Sequence, residues 1–338
     1  MNLMRDCRGC FDGCDFVLQL EEAREIRLLQ LTDMQFIDST QRRTPERLSM
    51  REVEEWLPEK FDLQCADQIR ALVERVKPDL IFITGDLIYG SFDDKGTTLH
   101  RFCELMDSFA IPWAPVFGNH DNESFRGVAW QCRRLEESEY CLFRRGRVSG
   151  NGNYSVGVAV GDRLLRVLHM TDSNGCKHSV DPEVIREKGI YPDQIARIEE
   201  ISERIARVQG EPIPAFMAFH FPTSEFERAE IEKGYSRETE FYAIGRDVCA
   251  KDGDFGSKKQ KLAPIETDES FLHFLKECRV EAVFVGHHHL INTCIVYQGI
   301  RWVFGTKTGC YDFHDPEMLG GTLIRLQGKC FEVEHVRV

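Results

Sequence analysis

The chain of 338 residues is 42% hydrophobic and 29% charged, the balance of a globular protein with enough apolar material for a sizeable core. A formal net charge of −13 excludes a non-specific nucleic-acid binder, which needs clustered Lys and Arg, and there is no run of about 18 apolar residues to cross a membrane. Residues 1–20 carry no apolar leader, because Arg5, Asp6, Arg8, Asp12 and Asp15 interrupt them. The expectation is a cytoplasmic chain with a polar N-terminal tail and one domain over residues 21–338. In chain order, Ile26 to Leu31 reads as a buried strand and Cys65 to Val76 as an amphipathic helix closed by Lys77-Pro78. Leu80 to Thr84 predicts a second strand, Leu99 to Phe109 a helix and Trp113 to Phe117 a third strand. Asn153 to Val160 and Leu164 to Met170 form a predicted hairpin around Gly161-Asp162. Helices follow at Gln194 to Val208 and Glu269 to Glu277, each leading into a strand, at Ala215 to Phe219 and Ala282 to Val285. From Asn292 to Val338 the pattern is β. A βαβ opening and a β-rich end predict a layered α/β sandwich with mixed sheets. Residues 38–60 and 225–265 read as long polar connections.

The thirteen cysteines are scattered, several of them in apolar runs, which fits free thiols in a reducing compartment. Cys7, Cys10 and Cys14 resemble a metal site but have no fourth partner nearby and lie in a polar terminus, so a disordered or loosely docked tail is the expected reading. His169 reads as a core residue, and Lys258-Lys259-Gln260-Lys261 as a solvated face. Arg42 and Arg43 belong to a solvated loop that could meet a phosphate.

Five short polar segments share one position, directly after an apolar strand, where open α/β sheets assemble ligand sites. They are Thr32-Asp33-Met34-Gln35, Gly85-Asp86-Leu87-Ile88-Tyr89, Gly118-Asn119-His120-Asp121, His220, and Gly286-His287-His288-His289. Side chains two apart in a strand point the same way, so His287 and His289 can face one site while His288 points elsewhere. Carboxylates, imidazoles and a neutral amide converging on one point require a cation between them. Any one segment alone is ordinary, since Gly-Asp after a strand is usually a turn. Five in this order are not.

These segments resemble the motifs of the calcineurin-like metallophosphoesterases, and the softer features Gly152-Asn153-Tyr154, Asp172-Ser173 and the stretch from Pro214 to Phe226 are similar to a purple-acid-phosphatase-like branch. The resemblance implies an α/β/β/α sandwich and a dinuclear centre of divalent or mixed-valence transition metals (Mn, Fe or Zn). It implies Asp33, Asp86 and His289 on the first metal and Asn119, His220 and His287 on the second, with Asp86 bridging. His120 would assist the leaving oxygen, and Asp121 would orient His120. The family's first motif carries His where this chain has Gln35, so either the Gln35 amide oxygen or the Tyr89 phenolate is expected to complete the first site. The implied activity is hydrolysis of a small phosphorylated substrate, foremost a phosphomonoester, with no nucleic-acid or membrane partner. A phosphodiesterase and a non-catalytic interaction protein are the competing readings.

Overall fold

In the computed structural model, residues 1–40, 44, 50–54, 56–93, 95–234, 242–244 and 253–338 are described; Arg42 and Arg43 lie outside them. The chain opens with β1 (Asn2–Arg5), β2 (Phe16–Leu20) and β3 (Ile26–Leu31), then helices α1 (Met50–Glu54) and α2 (Pro58–Val76). Next come β4 (Leu80–Thr84), α3 (Thr97–Asp107), β5 (Trp113–Val116) and α4 (Val128–Glu136). The hairpin β6 (Tyr154–Val160) and β7 (Arg163–Met170) leads to α5 (Pro192–Gln209), β8 (Ala215–Ala218) and α6 (Ser224–Glu232). The short strands β9 (Tyr242–Ile244) and β10 (Gly256–Lys258) precede α7 (Glu269–Glu277), β11 (Val280–Val285), β12 (Cys294–Tyr297) and β13 (Ile300–Phe304). Finally, β14 (Gly320–Gln327) and β15 (Cys330–Arg337) close the chain.

Two mixed sheets result, with orders β1-β2-β6-β7-β8-β11-β13-β12 and β15-β14-β3-β4-β5. Strands β3, β4 and β5 run parallel, as do β7, β8, β11 and β13, so their C-terminal ends share an edge within each sheet. The sheets pack face to face, with Phe82 of β4 edge-on to Phe284 of β11 at 5.3 Å and Gln30 of β3 donating to Val285 O at 3.0 Å. Helices cover the outer faces, giving the α/β/β/α architecture. α2 shows why. Pro58 opens it, Lys77 ends it in the left-handed region, and Cys65, Ile69, Leu72, Val73 and Val76 bury one stripe.

The first twenty residues differ from the expected tail. β2 pairs in parallel with β6, Phe16 opposite Val156, and Phe16, Val17 and Leu18 have no exposed surface. Asp15, read from sequence as a sign of a polar terminus, accepts Ser155 N at 2.9 Å, and Arg5 donates to the carbonyls of Glu139 and Cys141. Cys7 and Cys14 are buried with Phe11, Val17 and Ile201 in a small apolar cluster, and burial pushes the Cys7 thiol up to about 11. They are packing groups, and the described cysteines are free thiols. Lys258 also differs, being buried and paired with Glu230 at 2.6 Å rather than solvated. His169 is a core residue, hydrogen-bonded to Ser155 Oγ at 2.9 Å and pushed down to about 4 by burial. Among the described residues, no helix is long and apolar enough to cross a membrane.

Candidate metal centre

The strand ends of both sheets meet at one point. Asp33, Asp86 and Asn119 follow β3, β4 and β5, while His220, His287 and His289 follow β8 and β11. Backbone hydrogen bonds tie the segments together: Asp33 N to Gly85 O at 3.1 Å, Gln35 N to Asp86 O at 2.9 Å, and Gly286 N to His220 O at 3.1 Å. Gly118 is needed for close approach, since a Cβ there would collide with Asp86 Oδ1 and lie 2.8 Å from His220 Cε1. Asp33, Gln35, Asp86 and His287 have φ of 52°, 51°, 53° and 72°. Left-handed backbone costs a residue with a side chain of order 1–3 kcal/mol and clusters at functional sites.

One ligand atom from each of Asp33, Asp86 and His220 lies within 4.8 Å of the others, and all three are buried. Asp33 Oδ2 accepts from Thr32 Oγ1 at 2.7 Å and His287 N at 3.0 Å, whereas Oδ1 is buried without a hydrogen bond, 3.4 Å from His289 Nε2. Asp86 Oδ1 accepts His120 N at 2.9 Å, and Oδ2 stands 3.6 Å from His220 Nε2. Burial opposes charge on Asp33, but His289, His220 and Lys307 hold its carboxyl well below the usual carboxylate range.

The imidazoles are oriented for coordination. His220 Nδ1 faces Thr84 O at 2.8 Å and His289 Nδ1 faces Phe313 O at 2.9 Å. A carbonyl oxygen only accepts, so each Nδ1 carries a hydrogen, which fixes the ring and turns its Nε2 toward the acidic side chains, with His220 Nε2 also 3.1 Å from Asn119 Oδ1. Imidazole nitrogens, carboxylate oxygens and an amide oxygen converging in a buried site are the donor set that a transition-metal cation takes. Burial, with His288 and His220 close by, pushes His287 well below its ordinary range and keeps it in the neutral ligand form. His288 points away and accepts from Ala263 N at 3.1 Å, as the alternation predicts. These residues therefore fit a metal centre.

Two expectations about the surroundings change. The Asp121 carboxylate does not meet His120; it accepts Ile88 N at 3.0 Å and Gly118 N at 2.7 Å, locking the second and third segments together. The carboxylate at His120 Nδ1 is Glu123, at 3.0 Å. Gln35 does not offer its oxygen to the centre either. Lys307 Nζ, a donor only, lies 2.7 Å from Gln35 Oε1, so the Gln35 amide nitrogen is the atom that faces His289, 3.4 Å from its Nε2. Tyr89 stacks on His120, with ring centroids 4.2 Å apart and 23° between planes, and packs against Phe92 and Tyr311. Lys307 was missed in the sequence, although it carries the signal used elsewhere: Gly305-Thr306-Lys307-Thr308 follows the apolar strand β13. It is fully enclosed, donates to Asp33 O at 2.9 Å, and is lowered by burial. A pocket of about 680 Å³ opens beside the centre, lined among others by Asn119, Glu123, Phe221 and His287.

Similarity to known proteins agrees with this geometry. The chain is 26% identical over 282 residues to the "Probable inactive purple acid phosphatase 28" of Arabidopsis thaliana, covering 75% of this chain and 64% of that protein. It is 23% identical over 317 residues to the "Probable inactive purple acid phosphatase 29" of the same plant, covering 86% and 72%. The first of these relatives is thus matched over less than two thirds of its own length. A solved dimetal phosphatase from Danio rerio shares the fold at 12% identity and a TM-score of 0.50, covering 92% of this chain and 97% of that one. The calcineurin-like phosphoesterase family model matches residues 26–290. That span runs from the first residue of β3 to the residue after His289 and encloses all five strand-end segments, and the chain belongs to the calcineurin-like phosphoesterase family.

Proposed function

We propose that this chain is a metal-dependent phosphoesterase that hydrolyses a small phosphomonoester with two transition-metal ions. The observation that carries the reading is the pair of Nε2 atoms, on His220 and His289, turned toward buried carboxylate oxygens of which Asp33 Oδ1 accepts no hydrogen bond. Asp33, Asp86 and His289 would hold the first ion, and Asp86, Asn119, His220 and His287 the second. When bound, Mn, Fe or Zn ions supply Lewis acidity to the phosphoryl oxygens and lower the pKa of water. His120 is the residue suited to pass a proton to the leaving oxygen. Its Nδ1 is held by Glu123 and its ring face by Tyr89, so the imidazole keeps one orientation. Asp121 positions the loop that carries His120. A cavity of about 680 Å³ suits a small phosphorylated molecule. The phosphatase names of the relatives support a monoester, and their "inactive" designation makes turnover the property to measure.

The experiment is chelation and reconstitution. Protein stripped with EDTA is assayed on phenyl phosphate and on bis(p-nitrophenyl) phosphate after addition of Mn, Fe or Zn. The expected result is loss of phenyl phosphate hydrolysis on stripping and recovery with at least one metal, with the diester turned over more slowly. Full activity in the stripped protein would overturn metal dependence. Binding of metal with no turnover of either ester would favour the non-catalytic reading.

A further inference from the structure

The loop between β7 and α5 is closed at its base by its own backbone. Asn174 pairs with Lys188 as an antiparallel bridge, Gly175 N donates to Ile185 O at 3.0 Å, and Gly189 N donates to Ser173 O at 2.8 Å. The Asn174 amide adds bonds to Asp172 O and Gly189 O, both at 3.1 Å. Gly175 has φ +87°, and a Cβ there would lie 2.7 Å from Lys188 Cβ and 2.9 Å from Phe221 Cε2, so glycine is what lets the loop close. Side chains on this loop are therefore presented from a fixed frame rather than from a floppy connection.

Lys177, His178, Arg186 and Lys188 of this loop line the same pocket as Asn119 and His287. Three of the loop's acidic side chains are turned to other partners, and the fourth, Glu187, is exposed and does not line the pocket. Glu183 pairs with Arg145, Asp181 accepts Val128 N at 2.7 Å, and Asp172 is buried and accepts Asn151 N at 2.6 Å. Lys188 donates to Ala263 O at 2.7 Å and lies 5.5 Å from the Phe221 ring centroid. Lys177 and Arg186 are exposed, and neither has an ion-pair partner among the described residues. Among the described residues Glu123 is the acidic one that lines the pocket, and it is engaged with His120. Cations left unpaired at the mouth of this pocket favour an anionic group there, against the net charge of −13 of the chain. The same pocket is lined by Phe125 and Val180, large apolar side chains 62% and 75% exposed.

We propose, on the basis of the phosphoesterase reading above, that this pocket selects organic phosphates carrying a second phosphoryl group. Lys177 and Arg186 hold the second group, and Phe125 and Val180 cover the apolar or aromatic body that joins the two. Arginine suits this role because its planar fork meets two phosphate oxygens at once, whereas a lone lysine acts as a point charge.

The test compares adenosine 3′,5′-bisphosphate with AMP on the metal-loaded full chain, in the wild type and in Lys177→Ala/Arg186→Ala. The wild type is expected to prefer the bisphosphate by roughly 10-fold or more in kcat/KM, through KM, and the double variant to bring that ratio close to one. Equal kcat/KM for the two substrates in the wild type, or an unchanged ratio in the variant, overturns the proposal. Isothermal titration with adenosine 3′,5′-bisphosphate and with inorganic phosphate reads the same preference without turnover. If neither substrate is hydrolysed but the bisphosphate binds more tightly and loses that advantage in the variant, the catalytic reading fails and the second-phosphate site stands. If the titration shows equal affinities, the site is rejected whatever the turnover. A thermal melt of the variant that matches the wild type excludes misfolding, as expected for two exposed side chains without ion-pair partners.

Discussion

His120 sits where two interactions fix it, the Glu123 carboxylate at Nδ1 and the Tyr89 ring on its face. His120→Ala is expected to lower kcat by roughly 100-fold or more while keeping the metal content of the wild type, as for a group that acts on the leaving oxygen without holding a metal. Glu123→Gln should cost less, about 10-fold in kcat, and should move the alkaline limb of the pH–rate profile down, because the carboxylate favours the protonated imidazole that donates the proton. Elemental analysis of purified His120→Ala showing lost metal would reassign His120 as a ligand, and an unmoved pH limb in Glu123→Gln would remove Glu123 from its positioning role. At this scale the sequence was legible where chemistry is local to a strand end. Asp33, Asp86, Asn119, His220, His287 and His289 each follow an apolar run within a few residues. Glu123 escaped because Asp121 is nearer in sequence, and only the three-dimensional turn shows that the Asp121 carboxylate is taken by backbone N–H groups. Lys307 escaped because its partner Gln35 is 272 residues away.

Most strands and helices announced themselves through periodicity, and the hairpin of β6 and β7 through its Gly161-Asp162 turn. β1 and β2 did not. β2 pairs with β6 across 140 positions and β1 pairs with β2 in turn, and no local pattern separates such short strands with several charges from a mobile terminus. The two alternatives predict different behaviour on truncation. Phe16, Val17, Leu18 and Leu20 are all buried. Each such side chain contributes roughly 1.5–3 kcal/mol, so together they approach the whole net stability of about 5–15 kcal/mol for a typical domain. Removal of residues 1–20 should therefore give insoluble or unfolded protein, because β6 would become a bare apolar edge. A truncated protein with an unchanged thermal transition would restore the expectation of a dispensable tail. α6 was likewise hidden inside the stretch 225–265 read as a polar connection, and α4 fell in a stretch to which no element was assigned. α4 buries only Val128, Gln131, Cys132 and Leu135, too few apolar positions for a clear helical stripe, and α6 buries Glu225, Glu227 and Glu230 alongside its apolar residues.

For the whole molecule, the excess of acidic residues and the cationic pocket wall pull in opposite directions. The net charge of −13 spreads a repulsive field toward anions, which the loop holding Lys177 and Arg186 opposes locally at the pocket. That local effect was not legible in the sequence, because the loop carries no motif and its acidic residues lie close to the basic ones along the chain. The donors of the centre come half from one sheet, with Asp33, Asp86 and Asn119, and half from the other, with His220, His287 and His289. An ion held by both sets is a rivet through the seam of the sandwich, closing the sheets at the one edge where their strand ends carry buried carboxylates instead of apolar side chains. Metal loading should accordingly slow amide hydrogen exchange at the ends of β3, β4, β8 and β11 while leaving β12 and β15 at their stripped-protein rates. Uniform slowing across both sheets would instead mean that the ion stabilises the fold globally, with no mechanical role at the seam. Lys307, a buried cation beside Asp33, should make the first position the harder one to fill, so a metal titration followed by elemental analysis is expected to show this rivet driven in two strokes, at His220 and His287 first and beside His289 only at higher metal concentration.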